Sequence, residues 1–339
     1  MDYSYDPCKD INSIDFDNPK DLKKVLSRDK HTRIEGICTE AVFLDDLVNE
    51  SFDEYSTGWW FPMKNHRYNV VKILTNIESI TDLDKKILSH FIDRNISPYI
   101  VSFDKIEKVF HFLKVNKKLL NDFESHWDEM KDTYPRTTIT PPIPSSTYRS
   151  NERLEKAVNI LESLGLLQRS AVERVLANCW IKTKGLWDID TFVILDNQLI
   201  GLEVKQKYPT RRGTFGLNTG LSRLFRFLNE IDIRIVHVIL TKPSSNKKTP
   251  ATDYYTLQKY EGKSLWIGTE FSDEVLSSIT SSAPTETSIF ASQRLNFHHI
   301  SPTSFTPIKL FGRKSDKSLL KFLNNELDKM KNIDEIPSI

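Results

Sequence analysis

Residues 186–207 read LWDIDTFVILDNQLIGLEVKQK, and the reading of this stretch decides the fold. The run 190–195 (DTFVIL) is short, apolar and rich in β-branched and aromatic residues. Asp196-Asn197 is a turn-prone pair, and 199–204 (LIGLEV) is a second apolar run. Two such runs around a short polar turn predict a β-hairpin. Residues two apart on a strand share a face, so Asp188 and Asp190 are expected together on the first strand, and Glu203 and Lys205 on the second. Three carboxylates and an ammonium then converge near one end of a hairpin with an apolar middle. Charges inside a buried strand pair cost several kcal/mol each unless they are paired or bound to metal. Two carboxylates can hold a hard cation such as Mg²⁺. The cation acidifies a bound water and neutralises phosphate charge, and an adjacent lysine orients that water or stabilises developing negative charge.

Asp190 followed thirteen positions later by Glu203-Val204-Lys205 resembles the PD-(D/E)xK nuclease superfamily, the restriction-endonuclease-like fold. The proline that precedes the aspartate in that family is replaced here by Ile189. ExK alone has no specificity; Asp on one strand and ExK on the next, both in apolar surroundings, has more. The flanks match the family's element order. In 154–166 (LEKAVNILESLGL), Leu154, Val158, Leu161 and Leu164 fall at helical spacing, with Gly165 as a C-terminal stop. Residues 172–183 are expected as a first strand, 217–230 as a helix and 233–240 (IRIVHVIL) as a buried strand. The resemblance covers roughly 150–242 and implies a mixed sheet flanked by helices. It implies Mg²⁺ (or Mn²⁺) held by Asp190 and Glu203, with the Val204 carbonyl as a further ligand, Lys205 positioning water, and Glu155 as the auxiliary acid. Asp188 is the alternative strand carboxylate. The implied activity is endonucleolytic hydrolysis of DNA, in a setting such as restriction or anti-phage defence. An RNA-cleaving enzyme and a non-catalytic scaffold on the same fold are the rival readings.

The 339 residues suit two or three domains. No apolar run is long enough to span a bilayer, and the acidic start MDYSYDPCKD is not a secretory signal, so cytoplasm is the expected compartment. Three widely spaced cysteines, Cys8, Cys38 and Cys179, argue against a disulfide framework or zinc site. Net charge is +1, but unevenly spread. Residues 1–60 hold seven Lys/Arg against fourteen Asp/Glu, whereas 203–248 hold ten against three. Positive charge just after the hairpin suits a phosphate-binding surface. Lys207, Arg211, Arg212, Arg223 and Arg226 are the expected DNA contacts, Arg211 and Arg212 foremost, in the loop 208–216.

Residues 1–134 are expected as a mainly helical domain for recognition or partner binding, with helices near 19–26, 39–48, 66–78, 82–94, 104–114 and 117–132 and a strand at 99–103. The aromatic run 55–68 (YSTGWWFPMKNHRY) reads as core rather than a base-stacking surface. Residues 135–149, with Pro135, Pro141, Pro142 and Pro144, read as a linker. The nuclease-like domain then spans 150–245, and 246–339 form a C-terminal extension. That extension is expected to hold a strand at 265–268, a short helix at 272–278, a Ser/Thr-rich stretch at 277–287 and an amphipathic helix at 315–331. A partner protein could dock on the N-terminal domain or the last helix, and a homodimer is one arrangement such nucleases use. No membrane partner is expected.

Overall fold

The computed structural model describes residues 6–64, 67–74, 80–121, 150–180, 185–242, 249–257, 262–285, 293–313 and 317–336. The expected linker 135–149 and the lysines Lys247 and Lys248 lie outside them. The chain opens with α1 (Pro19–Leu26) and α2 (His31–Phe43), which continues as a π turn over Leu44–Val48. Then come β1 (Trp59–Lys64), β2 (Arg67–Tyr68), β3 (Val70–Leu74), α3 (Asp82–Asp93), β4 (Pro98–Asp104), β5 (Val109–Lys114) and α4 (Lys117–Asn121). Next are α5 (Asn151–Ser163), α6 (Leu167–Val175) with a π turn over Leu176–Trp180, β6 (Gly185–Ile189), β7 (Thr191–Leu195), β8 (Gln198–Lys207), β9 (Phe215–Asn218), α7 (Thr219–Glu230) and β10 (Arg234–Thr241). The chain continues with α8 (Asp253–Thr256), β11 (Leu265–Glu270), β12 (Leu276–Thr285), β13 (Gln293–Ile300), β14 (Thr306–Leu310) and α9 (Ser318–Leu323).

The hairpin forms as its sequence requires. β7 and β8 pair antiparallel from Leu195↔Gln198 to Thr191↔Leu202. Asp196 and Asn197 turn the chain with φ of 49° and 64°, the left-handed pair that a two-residue hairpin loop needs and that these residue types tolerate. β9 and α7 then carry the chain over to β10, which lies parallel to β8. β11 and β14 add antiparallel on the far side, giving the order β14-β11-β10-β8-β7. β8 and β10 are central, and their near-continuous apolar character follows from burial on both faces. The fold is a mixed α/β arrangement of sheets flanked by helices. Among the described residues no helix is long and apolar enough to cross a membrane.

The N-terminal region differs from its expectation. α1, capped by the Asn18 side chain on the Lys20 amide, and α3, with a Thr81/Asp84 capping box, are helical as read. The described parts of 66–78 are instead β2 and β3, and 104–114 comprises the end of β4, a turn over 105–108 and β5, because 70–74 (VVKIL) is a fully buried run rich in β-branched residues and 109–112 alternate. They build a second sheet in the order β2-β1-β3-β4-β5, with β6 added on β1. This last pairing ignores the expected domain boundary: Trp59↔Ile189 and Trp60↔Asp188 are partners, and Ser56 and Phe192 exchange backbone hydrogen bonds of 2.9 and 2.7 Å. One core joins Trp59, Phe61 and Phe91 to Phe192, Phe225 and Ile239. The aromatic run is core, with Trp59 and Phe61 fully buried. β11 and β14, from the expected C-terminal extension, belong to the same sheet as the hairpin.

Other elements also depart from the sequence reading. Of the expected strand 172–183, the described residues 172–180 are helical: Leu167, Ala171, Val175 and Cys179 recur every four residues and are all buried, a helical pattern that α6 and its π turn follow. The Ser/Thr-rich 276–285 is strand β12, and the expected long terminal helix shrinks to α9. Cys8 and Cys179 form a disulfide, with Cα atoms 5.1 Å apart, contrary to the cysteine arithmetic, which cannot see two residues brought together by folding. Cys38 is buried and reduced.

Candidate functional site

The site is built where the chain passes from one sheet to the other. Asp190 occupies the bend between β6, which pairs with β1, and β7, which pairs with β8. It is therefore a hinge residue rather than a mid-strand one, and Asp188 lies on a different sheet from the hairpin. The β7–β8 ladder ends at Thr191↔Leu202, so the Val204 amide on that edge has no strand partner. Asp190 Oδ2 accepts it at 2.5 Å. A buried amide must find an acceptor, and this one fixes the aspartate against the ExK strand. On the opposite edge of β8, Glu203 lies in register with His237 of β10. His237 Nδ1 donates to the Glu203 carbonyl oxygen at 3.1 Å.

The side chains of Asp190 and Glu203 are almost fully buried, while Lys205 remains about one-third exposed at 36%. The Lys205 ammonium contacts Glu203 Oε1 and lies 3.8 Å from Asp190 Oδ2. Glu203 Oε2 has no partner in hydrogen-bonding geometry among the described residues, and the raised Glu40 carboxyl hydrogen-bonds to that of Asp190. Buried carboxylate oxygens without partners are costly. Two buried carboxylates beside one partly exposed ammonium offer oxygen donors of the kind a hard divalent cation takes.

The electrostatics follow from this crowding. Burial pushes the Asp190 carboxyl up to about 6, and the Asp188 charge adds to the rise; Lys205, the Val204 amide and the Glu40 carboxyl oppose it. Glu203 is held well above its ordinary range by burial and by Asp190. Burial acts to lower the Lys205 pKa, but the combined field of Asp190, Glu203, Asp188 and Glu40 outweighs it, so the ammonium is held charged. His237 is kept neutral by burial and by Lys207 and Lys205.

Glu40 is the residue that the sequence reading missed. It sits on α2, and burial together with Asp190 raises its carboxyl well above the usual range. Glu155, expected as the auxiliary acid, lies on the exposed face of α5; the acids acting on Asp190 and Glu203 are Asp188 and, at Asp190, Glu40 as well. No periodicity or spacing links Glu40 to Glu203, so nothing in the sequence could have found it. His237 did carry a signal, being the single polar residue inside the run 235–240.

The structure disperses the expected phosphate contacts. Arg211 and Arg212 are exposed at the tip of a turn whose ends, Thr210 and Thr214, bond to each other. Arg223 is exposed on α7, and Arg226 pairs with Asp273 at 2.7 Å. Lys207 instead turns inward. Its ammonium donates to the Gly216 carbonyl, and burial with Lys205 nearby lowers its pKa to about 7. The Val204 side chain packs in a separate core with Phe43 and Val238. A second acidic group, Asp104, Glu107 and His111, has ligand atoms within 4.8 Å of one another. Asp104 Oδ1 there accepts the Ile106 and Glu107 amides, the ordinary role of an aspartate at a turn. Comparison with protein-family models, curated proteins and solved structures gave no match.

Proposed function

We propose that this chain is a metal-dependent endonuclease with a restriction-endonuclease-like core, hydrolysing DNA phosphodiester bonds. One observation carries the reading: two buried carboxylates, Asp190 and Glu203, crowd beside the partly exposed ammonium of Lys205, and Glu203 Oε2 has no hydrogen-bond partner among the described residues. A purely structural ion pair would leave no buried carboxylate oxygen unsatisfied. The antiparallel β7–β8 pair, the α7 crossover and the parallel return of β10 support the proposed core.

Asp190 and Glu203 would hold Mg²⁺ or Mn²⁺, with the Val204 carbonyl as a further ligand. When bound, the cation supplies an acidified water and neutralises phosphate charge. Lys205 orients the water and balances the negative charge that builds on the phosphorus oxygens as the water oxygen bonds to phosphorus and the bond to the leaving sugar oxygen breaks. Glu40 takes the role first expected of Glu155, bearing on Asp190 from α2. His237 pins the Glu203 backbone and so the carboxylate's direction. The biological setting, restriction or anti-phage defence, and a homodimer are proposed by analogy with the resemblance; a partner protein on the N-terminal region or the last helix and a cytoplasmic location are proposed apart from it.

The test is incubation with supercoiled plasmid and Mg²⁺ or Mn²⁺, with EDTA and Lys205→Ala as controls and labelled RNA in parallel. The expected result is metal-dependent nicking or linearisation, slowed at least ~100-fold in the folded variant. Equal cleavage by Lys205→Ala overturns the assignment, and cleavage confined to RNA changes the substrate.

A further inference from the structure

β12 and β13 form a ribbon longer than the sheet that anchors it. β9 pairs only with Phe297–Ile300 of β13, whereas the β12–β13 ladder runs on through Asn296↔Ser282 to Gln293↔Thr285. Four residues of each strand thus extend past β9 as a two-stranded arm about 13 Å long at the usual strand rise. Paired residues share a face, which places Thr280, Ser282, Arg294, Asn296 and His298 on one side. Ser282, Arg294 and Asn296 are exposed. No carboxylate occurs in either strand. The nearest acid along the chain, Glu286, directly follows Thr285 and lies outside the described residues; Asp273 and Glu274 lie at the root, and Asp273 is paired with Arg226.

The root of the arm is tied to the candidate active site. Lys207, two residues beyond Lys205, donates to the carbonyl of Gly216 in β9. Gly216 is the register partner of His299, whose ring bonds Ser281 Oγ at 2.6 Å and Thr214 Oγ1 at 3.0 Å. Thr214 closes the turn that exposes Arg211 and Arg212. The ExK strand, the two-arginine turn and the ribbon are therefore one connected unit.

Resting on the endonuclease reading, we infer that the β12–β13 arm is the element that enters the groove of duplex DNA and selects the sequence cut. A two-stranded ribbon fits the major groove, which is about 12 Å wide. Hydroxyl, amide and guanidinium groups are the side chains that read base edges. Arg211 and Arg212 hold the flanking phosphates, which carry affinity but no sequence information.

The test binds the full-length protein to a pool of random-sequence duplexes in EDTA, then sequences the bound fraction and measures affinity against salt. Wild type is expected to enrich a subset of sequences. Ser282→Ala with Asn296→Ala, both exposed positions, should abolish the enrichment and weaken binding to the enriched sequence about tenfold, with the salt slope unchanged because no charge is lost. Arg211→Ala with Arg212→Ala should keep the enrichment and reduce the salt slope by about two. The inference is overturned if the Ser282/Asn296 variant enriches and binds as wild type does, if wild type binds no duplex, or if the substitutions alter only self-association through the outer edge of β12. Because binding is read without metal, a protein that selects sequences but never cuts would fail the nuclease reading and leave the arm standing.

Discussion

Asp190 accepts the amide of Val204 at 2.5 Å, and that bond locks a residue at the junction of two sheets onto the middle of a third strand. The aspartate can do so because the β7–β8 ladder stops at Leu202. One sheet's end thus creates the unpaired amide, and the other sheet's arrival supplies its acceptor.

The crowded acids make stability depend on pH and metal. Asp190 titrates at about 6 in the fold against an ordinary 3.8. Its folded pKa is raised, so the folded state binds the proton more tightly. Stability of the metal-free protein therefore falls as pH rises from about 4 to about 6, by on the order of 3 kcal/mol from this group. Glu203 and Glu40 act in the same direction. Mg²⁺ competes with those protons, so it should raise the thermal midpoint at about pH 8 and have little effect at about pH 4.5. Asp190→Asn should lose most of the metal effect and be more stable than wild type in EDTA at about pH 8. Thermal melts across pH with and without Mg²⁺ check both signs.

Glu40 and Glu155 make opposite predictions about the auxiliary acid. Glu40→Gln should raise the Mg²⁺ concentration for half-maximal cleavage about tenfold or more. Glu155→Gln, on the outer face of α5, should leave it unchanged. Metal titrations of plasmid cleavage by the two variants decide between them.

Gly220 opens α7 directly beneath Trp187. A Cβ there would overlap the indole ring, so Gly220→Ala should destabilise by about 1–3 kcal/mol through displacement of α7 or of β6. Gly36, in α2, meets nothing within 4 Å. Gly36→Ala should stabilise by up to ~1 kcal/mol. Urea unfolding midpoints of the two variants should move in opposite directions.

The Cys8–Cys179 bond closes a loop across 171 positions. Cys8→Ser should cost about 2–5 kcal/mol, most of it by freeing the unfolded chain, and dithiothreitol should produce the same loss in wild type and none in the variant. Guanidinium melts under oxidising and reducing conditions measure it.

Much of the hairpin and its neighbours was legible in the sequence, because the signals are local. DTFVIL and LIGLEV are β-branched runs around Asp196-Asn197, and only left-handed-tolerant residues close such a turn. IRIVHVIL could hardly be other than a buried strand. Misreadings arose where local signals compete. The strand alternation of 109–112 (VFHF) lies inside a region expected to be helical, and in 172–180 (VERVLANCW) a repeat every four residues lies inside a stretch whose apolar content reads as strand.

The sequence by itself determined the chemistry on offer: Asp190, Glu203 and Lys205 at strand spacing in apolar surroundings, with arginines directly downstream. Only the tertiary structure decided which acids meet and which groups face outward. Hydrophobic periodicity fixes which side of an element is buried but not what it is buried against. Pairing β6 on β1 and packing α2 against β8 brought Glu40 to the site, left Glu155 on the outside, and turned Lys207 inward toward Gly216. Each of these rests on contacts between residues far apart in the chain, for which no local pattern exists.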